Sequence, residues 1–231
     1  DLVTEADRAM EFRLRDEFEI LLPGVAFVGE ESVAEDPSLL QALERREDAV
    51  IVDPIDGTWN YAHGISGFGT LLALADSSGT SFGLLYDPVM DDWVWAARGE
   101  GTHHSGGTRL TTSTKKQTHE LSGIHGSSGV DEASLRQLAG IYPRFQSVAD
   151  LRASILDYRL ISEGKLEFAV SRGMNAWDHA AGALAVVEAG GVAMLKNGSN
   201  YAPDAQSGPL IAAANPEAWT SVREAFAPFI N

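Results

Sequence analysis

In DPIDGTWNYAHG, residues 53 to 64, two aspartates three apart flank a proline, and a glycine, a threonine and two aromatics follow. Carboxylates are hard oxygen ligands, so a close pair of them suits a divalent cation such as Mg2+. Pro54 bars Asp53 from the α region, so the strand-like run AVIVD (49 to 53) is expected to end there and turn. Gly57 permits a tight approach. Thr58 is placed to cap a short helix, and the N–H groups near Gly57 and Thr58 would then face outward as an anion site. An ordinary turn with one helix cap is the competing explanation, because Asp, Pro and Gly are common turn residues. A calcium loop of the EF-hand type is excluded: Pro54 sits at its second position, Gly64 replaces the bidentate Glu at its twelfth, and ligands at odd positions are missing.

Further acids stand in patterned surroundings, each with a plainer explanation. GEES (29 to 32) follows an apolar run, yet adjacent acids usually mark a solvated surface. Asp178 in WDHAAGALAVVEAGG opens a helix, where an acid serves as a cap, and Trp177, Ala181, Leu184 and Val187 form the expected buried stripe. Asp7 completes a capping box begun by Thr4. His103 and His104 lie in a Gly-rich stretch read as loop, and no role is assigned to them. No G-x-S-x-G elbow supports serine hydrolase chemistry, and Asn197-Gly198-Ser199 reads as a turn.

The elements that must position these acids follow from periodicity. Residues 4 to 22 form an amphipathic helix with Met10, Leu14, Phe18 and Leu21 on its apolar stripe, ended by Pro23 and Gly24. A short strand in VAFVG and a short helix over 37 to 46 lead to AVIVD. FGTLLALAD (68 to 76), SFGLLYDP (81 to 88) and DDWVWAAR (91 to 98) are separated by turn residues, as in an antiparallel meander. The polar stretch 111 to 120 is the expected boundary between an α+β unit over 1–110 and an α/β unit over 111–231 that carries Asp178. In the second unit, strands in LSGIHG, EFAVS, VAMLK and PLIAAA alternate with helices near 131 to 140, 151 to 163, 177 to 189 and from 216.

Composition narrows the function classes. The chain has 231 residues, 44% of them hydrophobic, enough to bury a substantial core. With 17 basic against 33 acidic residues its net charge is −16, which repels a nucleic-acid backbone and excludes a polymeric nucleic acid as partner. A small phosphate can still bind if a cation sits between it and the carboxylates. There is no cysteine, which removes disulfides, thiolate nucleophiles and Cys-ligated zinc. The longest uncharged run, residues 59 to 75, is interrupted by polar residues and glycines, so no membrane partner is expected. Neither is a signal-peptide pattern found, and a cytoplasmic location is expected.

Taken in order, VTEAD, GEES, DPIDGTWNY and WDHAAG with its following EAGG resemble the inositol monophosphatase family of Mg2+-dependent, lithium-sensitive sugar phosphatases. The similarity runs from residue 2 to at least residue 191 and includes GLLYDPV and RGEGTHHSGGTRL. It implies an αβαβα sandwich, an α+β or α/β layering, a homodimer, and two or three Mg2+ ions per site. On the matching residues it implies that Glu30, Asp53 and the Ile55 carbonyl hold one ion, and that Asp53, Asp56 and Asp178 hold a second. Glu30 would also contact a third ion through water, Glu31 would stand behind the ligands, and Thr58 hydrogen-bonded to Asp7 would help Glu30 activate water. The substrate implied is a small sugar or polyol phosphate. Histidinol phosphate, a 3′-phosphorylated nucleotide and fructose 1,6-bisphosphate are the alternatives, and a metal- or phosphate-binding module without turnover is the non-enzyme alternative.

The sequence departs from the family pattern in the substrate pocket. The usual Gly-Ser or Gly-Thr pair falls on Arg152 and Ala153, and the acid that contacts ring hydroxyls in inositol-specific members falls on Ser171. Both changes make that region more positive, which suggests a substrate with a second anionic group. The plainer expectation for Arg152 is an ion pair with Asp150 or Asp157 on the surface.

Overall fold

The computed structural model describes residues 4–126, 130–205 and 207–230, so Val3 of the VTEAD motif lies outside the described residues. In chain order the elements are α1 (Glu5–Leu21), β1 (Ala26–Gly29), α2 (Glu30–Glu35), α3 (Gln41–Glu44), β2 (Ala49–Asp56), α4 (Thr58–Ala62), β3 (Gly69–Asp76), β4 (Gly79–Asp87), β5 (Asp92–Ala97) and β6 (Gly101–His104). They continue with β7 (Ser122–His125), α5 (Glu132–Ile141), β8 (Ser147–Ala149), α6 (Ser154–Ser162), β9 (Phe168–Ser171), α7 (Ala176–Glu188), β10 (Val192–Leu195), β11 (Leu210–Ala213) and α8 (Pro216–Ile230). The first sheet runs β1 to β6 in sequence order, parallel at β1–β2 and antiparallel elsewhere. The second has the order β10-β11-β9-β7-β8, with β7 parallel to both its neighbours.

Helices fill the three layers around these sheets, giving the expected αβαβα sandwich. α1 packs on β2, α6 and α7 lie between the sheets, and α5 and α8 cover the far face of the second sheet. α7 is buried almost all round because Ala180, Ala181, Gly182, Ala183 and Ala185 keep it thin enough to touch both sheets. Gly182 marks the tightest approach: a Cβ there would stand 2.0 Å from Tyr158 of α6. Gly83 does the same for the sheet, since a Cβ would stand 2.8 Å from the Ala181 carbonyl.

Tertiary packing corrects several expectations. α1 buries Asp7 and Glu11, while Leu21 is 67% exposed and Met10, Leu14 and Phe18 are half-buried, because this face of the helix meets polar groups as well as the sheet. Val187 of the expected α7 stripe is 47% exposed. The expected helix over 37 to 46 is a 3₁₀ turn at Pro37–Leu40 followed by one turn of α-helix. β8 carried no readable signal in three residues. His103 and His104 lie on β6 rather than in a loop; His103 stacks on Trp95 at 4.8 Å, and His104 bonds Asp92 at 3.1 Å.

The α6–α7 contact yields a stability prediction. Overpacking a filled core costs about 1–3 kcal/mol, and a chain of this size loses roughly 2–4 °C of Tm per kcal/mol. Gly182→Ala is therefore expected to lower Tm by about 2–12 °C in a thermal melt. An unchanged Tm would show that Tyr158 gives way freely.

Candidate active site

The site begins with an irregularity in β2. Side chains three apart on a regular strand point to opposite faces. Here Asp53 pairs with Leu71 and Asp56 with Gly69, so one extra residue is accommodated between them, at the proline that cannot donate to the ladder. Thr70 Oγ1 donates to the stranded Pro54 carbonyl at 3.0 Å. The strand therefore continues through Pro54 to Asp56 instead of ending at Asp53, and the bulge turns both acids to one side.

Asp178 of α7 meets them there. One carboxylate oxygen from each of Asp53, Asp56 and Asp178 lies within 4.8 Å of the others, and Glu30 at the start of α2 is close enough to interact with all three. Two carboxylates about 4 Å apart repel by roughly 4 kcal/mol at an effective dielectric near 20. Burial adds to this and is the largest influence on every acid of the group. It pushes Glu30 up to about 8, with Asp178 and Glu31 adding to the effect. Asp56 rises to about 7, and Asp53 and Asp178 are also raised.

The fold answers some of this charge with N–H donors. Asp56 accepts from Ser154 N at 3.0 Å and Ile155 N at 2.6 Å, so it caps α6. The Gly57 N–H also serves Asp56, so it is directed at the acid cluster. Asn175 donates to Asp178 at 3.1 Å. Asp53 Oδ1, by contrast, is buried with no hydrogen-bond partner.

Surrounding residues hold the acids in place. Gly57, at φ 84°, is the N-cap of α4, and Thr58 is its first residue; Thr58 does not cap the helix. Its hydroxyl lies 2.9 Å from the Ile55 carbonyl and 3.4 Å from Asp7 Oδ1. Asp7 Oδ2 is held by the Thr4 backbone and hydroxyl in the expected capping box. Glu31 turns toward α1, where Asp7 and Glu11 raise its pKa further after burial. Glu11, four residues after Asp7, accepts from Glu31 N at 2.8 Å and Ser32 N at 2.9 Å, anchoring the helix that carries Glu30. It fits because Gly29 has no side chain: a Cβ there would lie 2.4 Å from the Glu11 carboxylate.

A cavity of about 260 Å3 opens beside the acids, lined in part by Asp56, Asp178, Arg152, Ala153, Asp157 and Ser171. Ala153 is the buried N-cap of α6 and Ser171 ends β9. The expected surface pair of Arg152 with Asp150 or Asp157 is absent among the described residues. Asp150 instead accepts the Arg152 backbone N–H at 3.2 Å, and Asp157 buries Oδ1 without a partner. Sequence inspection also missed Asn60, which ties the Gly67 and Leu151 carbonyls together at 2.6 and 2.9 Å. It missed the buried Tyr158–His179 pair at 2.9 Å, whose imidazole reaches the Gly173 carbonyl at 3.0 Å. A polar residue within an aromatic run is the available hint for Asn60; Glu11 carries none.

The raised carboxyl groups give a signed pH dependence. Their folded pKa values exceed the unfolded ones, so the stabilising protons are present at low pH and are lost as pH rises from about 4.5 through 7 and 8. Protein in chelator should lose at least about 4 °C of Tm between pH 5 and pH 8. Glu30→Gln should lose less. A profile that rises over this range, or is identical in the variant, contradicts the charge assignment.

Comparison with known proteins agrees with the geometry. A sequence profile described as the inositol monophosphatase family matches residues 1–227. A Thermotoga maritima protein named fructose-1,6-bisphosphatase/inositol-1-monophosphatase is 29% identical over 192 residues, covering 83% of this chain and 70% of its own. The histidinol-phosphatase of Mycobacterium tuberculosis is 34% identical over 200 residues, covering 82% of this chain and 72% of its own. The solved structure of an IMPase/NADP phosphatase complexed with Mg2+ and phosphate superposes with a TM-score of 0.85 over 98% of this chain and 82% of its own, at 19% identity, and so shares the fold.

Proposed function

The chain belongs to the inositol monophosphatase family, a family of phosphoric monoester hydrolases, and from that premise we propose that it hydrolyses a small phosphomonoester at Asp53, Asp56, Asp178 and Glu30 with Mg2+ as cofactor. The buried, partnerless Oδ1 of Asp53 carries this reading: it stands among carboxylates that repel one another, and a cation is the partner that would satisfy it. The donor set is all oxygen, as Mg2+ prefers, with no His or Cys among the clustered ligands. The Mg2+–phosphate complex of the structural relative supports the same choice.

Two or three ions would be held, with Glu30, Asp53 and the Ile55 carbonyl as one ligand set and Asp53, Asp56 and Asp178 as the other. When bound, Mg2+ supplies the charge that lowers the pKa of an attacking water and stabilises the leaving oxygen. The chain's own groups then orient that water. Glu30 accepts its proton. The Thr58 hydroxyl has one proton and two acceptors within reach, the Ile55 carbonyl at 2.9 Å and Asp7 Oδ1 at 3.4 Å; donated to Asp7, it leaves the lone pairs for the water and the Ile55 carbonyl for the cation. Asp7 is suited to this, because Thr4 occupies its other oxygen. Glu31 supports the ligands from behind, and the substrate phosphate meets the backbone at Gly57 and Thr58, where the Gly57 N–H is shared with Asp56.

The reading extends to lithium inhibition, a homodimer and a cytoplasmic location, each characteristic of the family. The net charge of −16 argues against polymeric nucleic acid as a partner, and no described helix is long and apolar enough to cross a membrane. A binding module without turnover would need the metal ligands but not the Thr58–Asp7 contact at 3.4 Å, which favours the enzyme.

Chelator is expected to remove nearly all phosphate release, and Asp53→Asn to lower it more than about a hundredfold with the fold intact. Full activity in chelator would overturn the metal assignment. Thr58→Ala should lower kcat about 10²–10⁴-fold while Mg2+ affinity by calorimetry stays within about threefold. Equal losses in both would make Thr58 a support of the metal ligands instead.

A further inference from the structure

We propose that Arg152 reads a second anionic group on the substrate, so that the enzyme favours phosphomonoesters bearing a further phosphate or carboxylate over those of neutral polyols; this rests on the hydrolase reading above. The backbone is the first observation. Arg152 sits at φ 55°, in the left-handed region that costs glycine nothing and an arginine something. Of the three non-glycine residues at positive φ among those described, Arg152 alone lines the cavity beside the acid cluster. The conformation is pinned by its N–H bond to Asp150 and by the start of α6 immediately after it. A side chain kept at a strained position on a site wall is an outlier from which function can be read.

The guanidinium is the second observation. It lies 4.2 Å from the ring centroid of Trp59, which stacks on His63 at 4.0 Å. Trp59 and His63 belong to the same DPIDGTWNYAHG segment as the metal ligands, so the arginine is braced against the element that builds the reaction centre. Although Asp150 and Asp157 line the same cavity, the guanidinium makes no ion pair or hydrogen bond among the described residues. A planar cation held by an aromatic face, with its fork of donors unfilled, is preorganised for a carboxylate or phosphate. Asp56 and Asp178 line this cavity too, which puts one substrate within reach of both the acids and the arginine. Ser171 adds a neutral hydroxyl to the wall rather than a competing charge.

The test compares fructose 1-phosphate with fructose 1,6-bisphosphate, probes that differ only in the second phosphate, using wild type, Arg152→Gly and Arg152→Lys at fixed Mg2+. Glycine accepts the backbone geometry, so Arg152→Gly should melt as a folded protein. The wild type is expected to favour the bisphosphate in kcat/KM. Arg152→Gly should lower kcat/KM for the bisphosphate about tenfold, chiefly through KM, and change the monophosphate less than about twofold, the loss of one charge-assisted contact. Arg152→Lys should fall between, keeping charge without the fork. If the two probes change in parallel, or the wild type favours the monophosphate, Arg152 does not read the substrate. If the wild type hydrolyses neither probe nor any other phosphomonoester, the hydrolase reading falls and this one with it.

Discussion

Like charge confined in a small buried volume is the constraint on which the rest of this structure turns. Three carboxylates converge within 4.8 Å, with Glu30 beside them, in surroundings that disfavour their ionised forms. Donors at the start of α6 and at Asn175 offset part of the cost for Asp56 and Asp178. Asp53 receives no such help at Oδ1. In the proposed reading a cation would balance a site left this far from balance by the protein alone, and would link the chain's stability to its chemistry.

The acids come from three parts of the fold, β2, α2 and α7, so the cluster also fixes how those parts meet. Asp53 and Asp56 share a side only because β2 bulges at Pro54. Asp178 arrives on α7, which reaches the site between both sheets because its small residues, and Gly182 against Tyr158, permit close packing. Asp56 then caps α6, joining the first sheet to the helix whose entry forms the cavity wall. On the opposite side, Asp7 and Glu11 spend the buried face of α1 on polar contacts to Thr58 and α2. Positioning the acids thus takes priority over apolar packing in a helix that would otherwise bury its stripe.

How much of this could be read in the sequence depended on the range of the interaction. The meander, the alternation of the second half and the capping box at Thr4 rest on local periodicity and local hydrogen bonds, and the chain forms them as patterned. The clustering of Asp53, Asp56 and Asp178 was implied only by the family resemblance that the ordered motifs carry, since spacing alone left each acid a turn or cap residue. The bulge at Pro54 escaped because a proline after a strand residue signals a turn just as well as an irregular ladder. Glu11, Asn60 and the Tyr158–His179 pair act across 20 residues or more, or between carbonyls of distant loops, and no pattern within a window records such partners. Arg152 stood out by type, but its left-handed backbone and its stack on Trp59 exist only in three dimensions.

The direct measurement of the central claim is anomalous diffraction from crystals grown with phosphate and Mn2+ in place of Mg2+. The account predicts two anomalous peaks about 3.5–4 Å apart, both ligated by Asp53, one also by Asp56 and Asp178 and the other also by Glu30 and the Ile55 carbonyl. Crystals saturated with Mn2+ that show no peak among these carboxylates, or peaks held by other residues, would contradict it.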